Sequence, residues 1–137
     1  MSGLVEQTKD WIIKADHDLG SAKIIFLHIP DYFDTIAFHC QQAVEKYIKA
    51  ILIHKGIEFQ RSHDLIYLLE LLSNHTAISQ ERYINAVTLN GYGVQIRYPN
   101  KIIKLSKEDL HHAIAISEEF RIFTFEQIGI EETDVFF

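Results

Sequence analysis

The sequence predicts an all-α protein, an up-and-down antiparallel bundle of about five helices with two long helices at its heart. Three observations carry this prediction. Apolar residues recur at a 3.6-residue period through Leu4–His28 and again through Tyr32–Lys55. No stretch alternates apolar and polar residues as a half-buried strand does. Both prolines, Pro30 and Pro99, fall outside the periodic stretches, where a ring that lacks an amide donor is tolerated.

In the first helix Leu4, Trp11, Ala15, Leu19, Ala22 and Phe26 share one arc, with Val5 and Ile12 beside it. Pro30 ends that pattern, because proline also pushes the preceding residue out of helical geometry. A second helix is predicted from Asp31 or Tyr32 to Lys55, closed by Gly56 in the left-handed conformation that glycine adopts cheaply. Its apolar arc is Ile36, Ala37, Ala43, Val44, Tyr47, Ile48 and Ile51, with Cys40 on the same side. His39, Gln42, Glu45, Lys46 and Lys49 are predicted on the opposite, polar side. Ser62 is the expected N-cap of a short third helix, HDLIYLLELL, whose first turn gains from Asp64. A fourth helix is expected over Ser79–Leu89, capped by Ser79. The stretch GYGVQIRYPN, Gly91–Asn100, reads as a loop or a broken joint because of its glycines and proline. Ser106 caps the last helix, which runs to about Gln127 with Leu110, Ala113, Ile114, Ser117 and Phe120 inward. The bundle is assigned to residues 1–128, and 129–137 to an acidic and aromatic tail.

A chain of 137 residues fits one domain, and 47% hydrophobic with 23% charged residues is the balance of a folding globular protein. A net charge of −6 excludes a generally basic nucleic-acid binder, though not a local basic pocket. The single cysteine excludes an intrachain disulfide, the first residues lack a signal-peptide layout, and a cytoplasmic location follows as the expectation. The longest purely aliphatic run, Ala50–Ile53, is far short of the about 20 residues that span a bilayer.

Eight histidines invite a metal, yet neither His111-His112 nor Asp16-His17-Asp18 has the i, i+4 pairing that puts two ligands on one helix face. No metal and no cofactor is expected, since phosphate-loop fingerprints are also missing. Cys40 lies on the apolar side of its helix and reads as a small hydrophobe. Arg97 stands out: Pro99 takes Tyr98 out of helical geometry, and a guanidinium held at such a joint suits phosphate or carboxylate. An internal ion pair accounts for Arg97 equally well. His63 and Asp64, with Lys46 or Lys49, form either a polar helix start or a patch facing a nucleotide.

The run from Phe38 through Gln41, Gln42, Ala43, Glu45, Lys46, Lys49 and Ala50 to Gly56, followed by Arg61-Ser62-His63-Asp64-Leu65 and Arg97-Tyr98-Pro99, resembles the HEPN domain (higher eukaryotes and prokaryotes nucleotide-binding). Trp11, Ala15, Asp18, Leu19 and Ala22 resemble its first helix, so the likeness covers nearly the whole chain. The resemblance implies a five-helix bundle that often dimerises, binds nucleotide or RNA, and partners a small nucleotidyltransferase. It implies for many members a ribonuclease site with an arginine and, a few residues later, a histidine. Here Arg97 is followed by Tyr98, Pro99, Asn100, Lys101, Ile102, Ile103 and Lys104, with no histidine at that spacing.

Three functions are therefore weighed. One is an accessory nucleotide-binding homodimer, with Arg97 on phosphate, Tyr98 stacked on a base, and Lys46, Lys49, His63 and Asp64 nearby. Another is a metal-independent endoribonuclease toxin of a toxin–antitoxin pair, with a histidine brought to Arg97 by folding or by a second subunit. The last is a helical protein-interaction module.

Overall fold

The computed structural model describes the backbone of residues 2–97 and 105–131 and the side chains of 5–92 and 105–131. Five helices follow one another: α1 Ser2–His28, α2 Phe33–His54, α3 Leu65–Ser73, α4 Gln80–Arg97 and α5 Lys107–Ile128. No strand occurs among the described residues, and the fold is the all-α bundle that periodicity predicts. Helix α2 is its axis, packing on α1, α3, α4 and α5.

The reason lies in the composition of α2. Between Ile36 and Leu52 every residue is buried except Phe38, His39, Gln42 and Lys46. Ile36, Val44, Tyr47, Ile48, Ile51 and Leu52 are fully buried, and they meet Leu19 of α1, Leu65 and Leu69 of α3, Leu89 of α4 and Phe120 of α5 in one core. A buried side chain of this kind contributes about 1.5–3 kcal/mol, so the shared core outweighs the helix propensity of any single segment. Gly56, at φ 70°, and Gly129, at φ 80°, turn the chain out of α2 and α5 in the left-handed conformation.

Two boundaries differ from the sequence expectation. Ser62 is not the cap of α3: Asp64 is the N-cap and accepts from the Ile66 amide at 3.0 Å, while Ser62 Oγ accepts from the Asp64 amide at 3.0 Å. The competition between two capping residues is settled by the partner Asp64 finds on α4. Helix α4 does not stop at Leu89 but continues through Gly91 to Arg97. Glycine costs a helix about 1 kcal/mol, and here Leu89 and Tyr92 are buried on the same helix and hold it in place. Ser106, by contrast, caps α5 as expected, in a reciprocal capping box with Asp109.

Candidate functional site

Four partly exposed residues, Phe38, His39, Gln42 and Lys46, form a narrow polar window on the otherwise buried middle of α2. Their spacing explains it. Positions 39, 42 and 46 recur one helical turn apart, so they line a single stripe facing away from the core. The window has α1 along one side and the α2–α3 connection along the other, and each side supplies a charged cluster.

On the connection side, Glu45 is almost wholly buried, its side chain 3% exposed. Lys49, one turn on, donates to Glu45 Oε2 at 3.0 Å and is itself buried. Its ammonium also stands 5.3 Å from the Trp11 ring centre and 5.9 Å from that of Phe59, so aromatic faces share in balancing the charge. The second carboxylate oxygen, Oε1, lies 2.9 Å from His63 Nδ1. A carboxylate only accepts, so Nδ1 carries the proton and donates, leaving Nε2 on a ring that is half exposed. Gln41 fixes the backbone there by donating to the His63 carbonyl at 3.0 Å, and Gln42 donates to Gln41 Oε1 at 2.9 Å.

Helix α4 is clasped to the same place. Asn90 donates to Asp64 Oδ1 at 2.8 Å and accepts from the Leu65 amide at 3.0 Å. The start of α3, next to His63, is thereby tied to the helix whose last residue is Arg97. The side chain of Arg97 and the whole of Tyr98 lie outside the described residues.

On the α1 side, Asp18 accepts from His39 Nδ1 at 2.9 Å through Oδ1 and from the Lys46 ammonium through Oδ2. Its side chain is 13% exposed, and His39 and Lys46 keep 27% and 21%.

A third carboxylate, Asp16, is 11% exposed at the edge of a cavity between α1 and α5. Asp16 Oδ1 accepts from the Tyr47 hydroxyl and from Arg121 Nε at 2.9 Å, and Oδ2 has no hydrogen-bond partner. Burial first, and then the hydrogen bond and charge of Asp16, push the Tyr47 phenol well above its usual range. This cluster stands beside a cavity of about 350 Å³ between α1 and α5, lined also by Lys23 and Glu118, which pair at 3.2 Å. Cys40 is buried, and burial pushes its thiol up to about 12, which removes it as a nucleophile.

The structure thus brings Lys46, Lys49, His63 and Asp64 to one side of the bundle, but not as free cations around a cleft. Lys46 is paired with Asp18, Lys49 is buried against Glu45, and Asp64 is occupied as cap and clasp. The expectation that Glu45 and Lys49 face solvent with the rest of the stripe is corrected: both are buried, because Trp11, Phe59 and His63 cover that part of α2. Asp18 and His39 were missed as site residues. Their signal was the His39–Lys46 spacing of seven, which puts both on one stripe toward a single acidic residue. Among the described residues no group of three or more histidine, cysteine, aspartate or glutamate side chains could hold a metal. No described helix is long and apolar enough to cross a membrane.

Comparison with known proteins agrees with this architecture. The chain is 29% identical to Putative toxin MJ1304 of Methanocaldococcus jannaschii, over 93% of this chain and 95% of that protein. Its fold matches the crystal structure of TT1696 from Thermus thermophilus, with a TM-score of 0.78 at 23% identity over 88% of this chain and 98% of the other. It also matches ST0689, described as an archaeal HEPN homologue, with a TM-score of 0.72 at 25% identity over 88% and 97%. The family model of the HEPN domain matches residues 8–128, which takes in every helix that builds the core, and the chain belongs to the HEPN domain family.

Proposed function

We propose that the protein is a toxin-type HEPN domain that binds RNA or nucleotide phosphates on the face where α2, the α2–α3 connection and α4 meet. The observation that carries this reading is the Glu45–His63 pair. A buried carboxylate fixes one ring nitrogen at 2.9 Å and leaves the other on a half-exposed ring, the arrangement that proton transfer or phosphate contact requires. Asn90 links that histidine's neighbours to α4, the helix that ends in Arg97. In this reading Arg97 holds phosphate, Tyr98 stacks on a base, and Lys46, paired with Asp18, lies at the edge of the site. Lys49 acts from behind by neutralising Glu45, and Asp64 by positioning the start of α3.

The likeness to Putative toxin MJ1304 supports the toxin role. The proposal includes a cytoplasmic homodimer and a nucleotidyltransferase as protein partner. Ile84 and Val87, both more than half exposed on α4, favour a protein-covered surface there.

Calorimetric titration with ATP, GTP and a short RNA, on wild type and a folded Arg97→Ala variant, tests the reading. A lost charge-assisted contact of about 1.5–3 kcal/mol predicts binding weaker by roughly 10- to 100-fold in the variant. Absence of binding by the wild type would sink it. A second reading, an accessory protein that holds a nucleotide for its nucleotidyltransferase partner without cutting RNA, draws on the absence of a histidine shortly after Arg97. Binding of ATP or GTP with RNA left uncut favours that reading.

A further inference from the structure

The Asp16 cluster leaves one requirement unmet. Oδ1 is held by the Tyr47 hydroxyl and by Arg121 Nε, but Oδ2 is buried without a hydrogen-bond partner. A buried carboxylate oxygen that lacks a donor costs free energy, and such an atom needs a physical reason. The cavity of about 350 Å³ that Asp16 lines between α1 and α5 supplies one. The carboxyl torsion of an aspartate is broad, so a small turn brings Oδ2 toward the cavity while Oδ1 keeps its donors.

The walls limit what the cavity accepts. Asp16, Gly20 and Lys23 recur one helical turn apart on α1, and Glu118 and Ile122 stand across from them on α5. Gly20 lies inside a helix, where glycine is less favourable than alanine, yet a Cβ added there meets nothing within 4 Å. Packing within the chain does not require a glycine at that position, and its effect is to keep the wall free of a side chain. Leu19 and the exposed Ile122 add aliphatic surface, and no aromatic ring lines the cavity.

The hydrogen-bonding capacity left over is one-sided. Both cations are engaged: Lys23 pairs with Glu118 Oε1 at 3.2 Å, and Arg121 holds Asp16 while its guanidinium lies 4.4 Å from the centre of the Phe125 ring. What remains is acceptor, on Asp16 Oδ2 and on the second oxygen of Glu118. A ligand must therefore bring donors. A charged donor makes the stronger bond to a carboxylate, and a chain of net charge −6 attracts cations.

We propose that the cavity between α1 and α5 binds a small aliphatic amine, whose ammonium group donates to Asp16 Oδ2 and Glu118 and whose methylenes lie over Gly20 between Leu19 and Ile122. The site is separate from the face where α2, the α2–α3 connection and α4 meet, and stands independently of what binds there. A ligand that joins α1 to α5 in the folded chain also raises its thermal midpoint.

The test titrates the full-length protein with 1,4-diaminobutane by calorimetry, beside 1,4-butanediol, which has the same length and no charge. Gly20→Leu fills the cavity and leaves every charge in place, whereas Asp16→Asn and Glu118→Gln each remove one carboxylate. The wild type is expected to bind one amine per chain, and the diol at least about tenfold more weakly. Gly20→Leu and Asp16→Asn are each expected to weaken amine binding by about 10- to 100-fold. Glu118→Gln, at a half-exposed pair, is expected to weaken it by about threefold. Should Asp16→Asn fail to fold, Gly20→Leu decides alone, because it leaves the Asp16 cluster intact. Unchanged amine affinity in Gly20→Leu places the cation on the acidic surface outside the cavity and overturns the proposal. Equal affinity for amine and diol, or absence of amine binding by the wild type, overturns it as well.

Discussion

The Asp16 and Glu45 clusters use the same materials toward different ends. Asp16 draws a tyrosine hydroxyl and an arginine from α2 and α5, and all three side chains are largely enclosed between helices. Glu45 is buried more deeply, yet its second oxygen leads outward to a half-exposed histidine. The Asp16 cluster locks α1, α2 and α5 together at the edge of the cavity between α1 and α5. The other transmits a buried charge to the surface. Burial of the carboxylate is common to both clusters; what differs is the exposure of its partner, half for His63 and 16% for Arg121.

Replacing Glu45 by alanine is expected to have the largest effect. It leaves the Lys49 ammonium buried without its carboxylate, at a cost of about 3–5 kcal/mol, measured as a lowered midpoint in urea. A loss below about 1 kcal/mol would mean that the Trp11 and Phe59 faces suffice for Lys49. Tyr47→Phe is expected to cost about 1–3 kcal/mol, since it strips a donor from Asp16, which already has one unpaired oxygen. A loss below about 0.5 kcal/mol would mean that Arg121 alone satisfies Asp16. His63→Ala should change stability by less than about 1 kcal/mol, because the ring is half exposed. A larger loss would make His63 a structural element like Tyr47.

Smaller effects test the framework behind both clusters. Gly91→Ala should stabilise the protein by about 0.5–1 kcal/mol, because the position is helical and an added Cβ meets nothing within 4 Å. Destabilisation would show that α4 needs the flexibility of glycine. The Cys40 thiol, pushed by burial to about 12 from a usual 9.0, should resist iodoacetamide at pH 8 until denaturant is added. Its folded value lies above the unfolded one, so its contribution to stability is complete below pH 9 and is lost as pH rises toward 12. A Cys40→Ala variant should lose less stability over that window, and an unchanged alkaline profile would refute this assignment.

How much of this was readable in the sequence depends on how local each cause is. The apolar arc of α2 from Ile36 to Ile51 is buried as its period required, and the capping box at Ser106 was visible within four residues. The burial of Glu45 and Lys49 was not, because periodicity describes one helix and the covering groups, Trp11, Phe59 and His63, come from elsewhere in the chain. The choice of Asp64 over Ser62 as cap depended on Asn90, 26 residues away. The Asp16–Arg121 pair spans 105 residues and leaves no local trace at all. The roles given to Arg97 and Tyr98 came from a broken periodicity at Pro99 and from family likeness.

Because α2 packs on every other helix, exposing its amides is expected to require the bundle to come apart. Hydrogen exchange at Val44, Ile48 and Leu52 should then proceed only through global unfolding, and report the full stability of the protein. A ligand seated over Gln42 and Lys46 would rest on the slowest-exchanging backbone in the molecule. Such a floor is preorganised, so the entropy of ordering falls on the ligand and the rims and not on the helix beneath them.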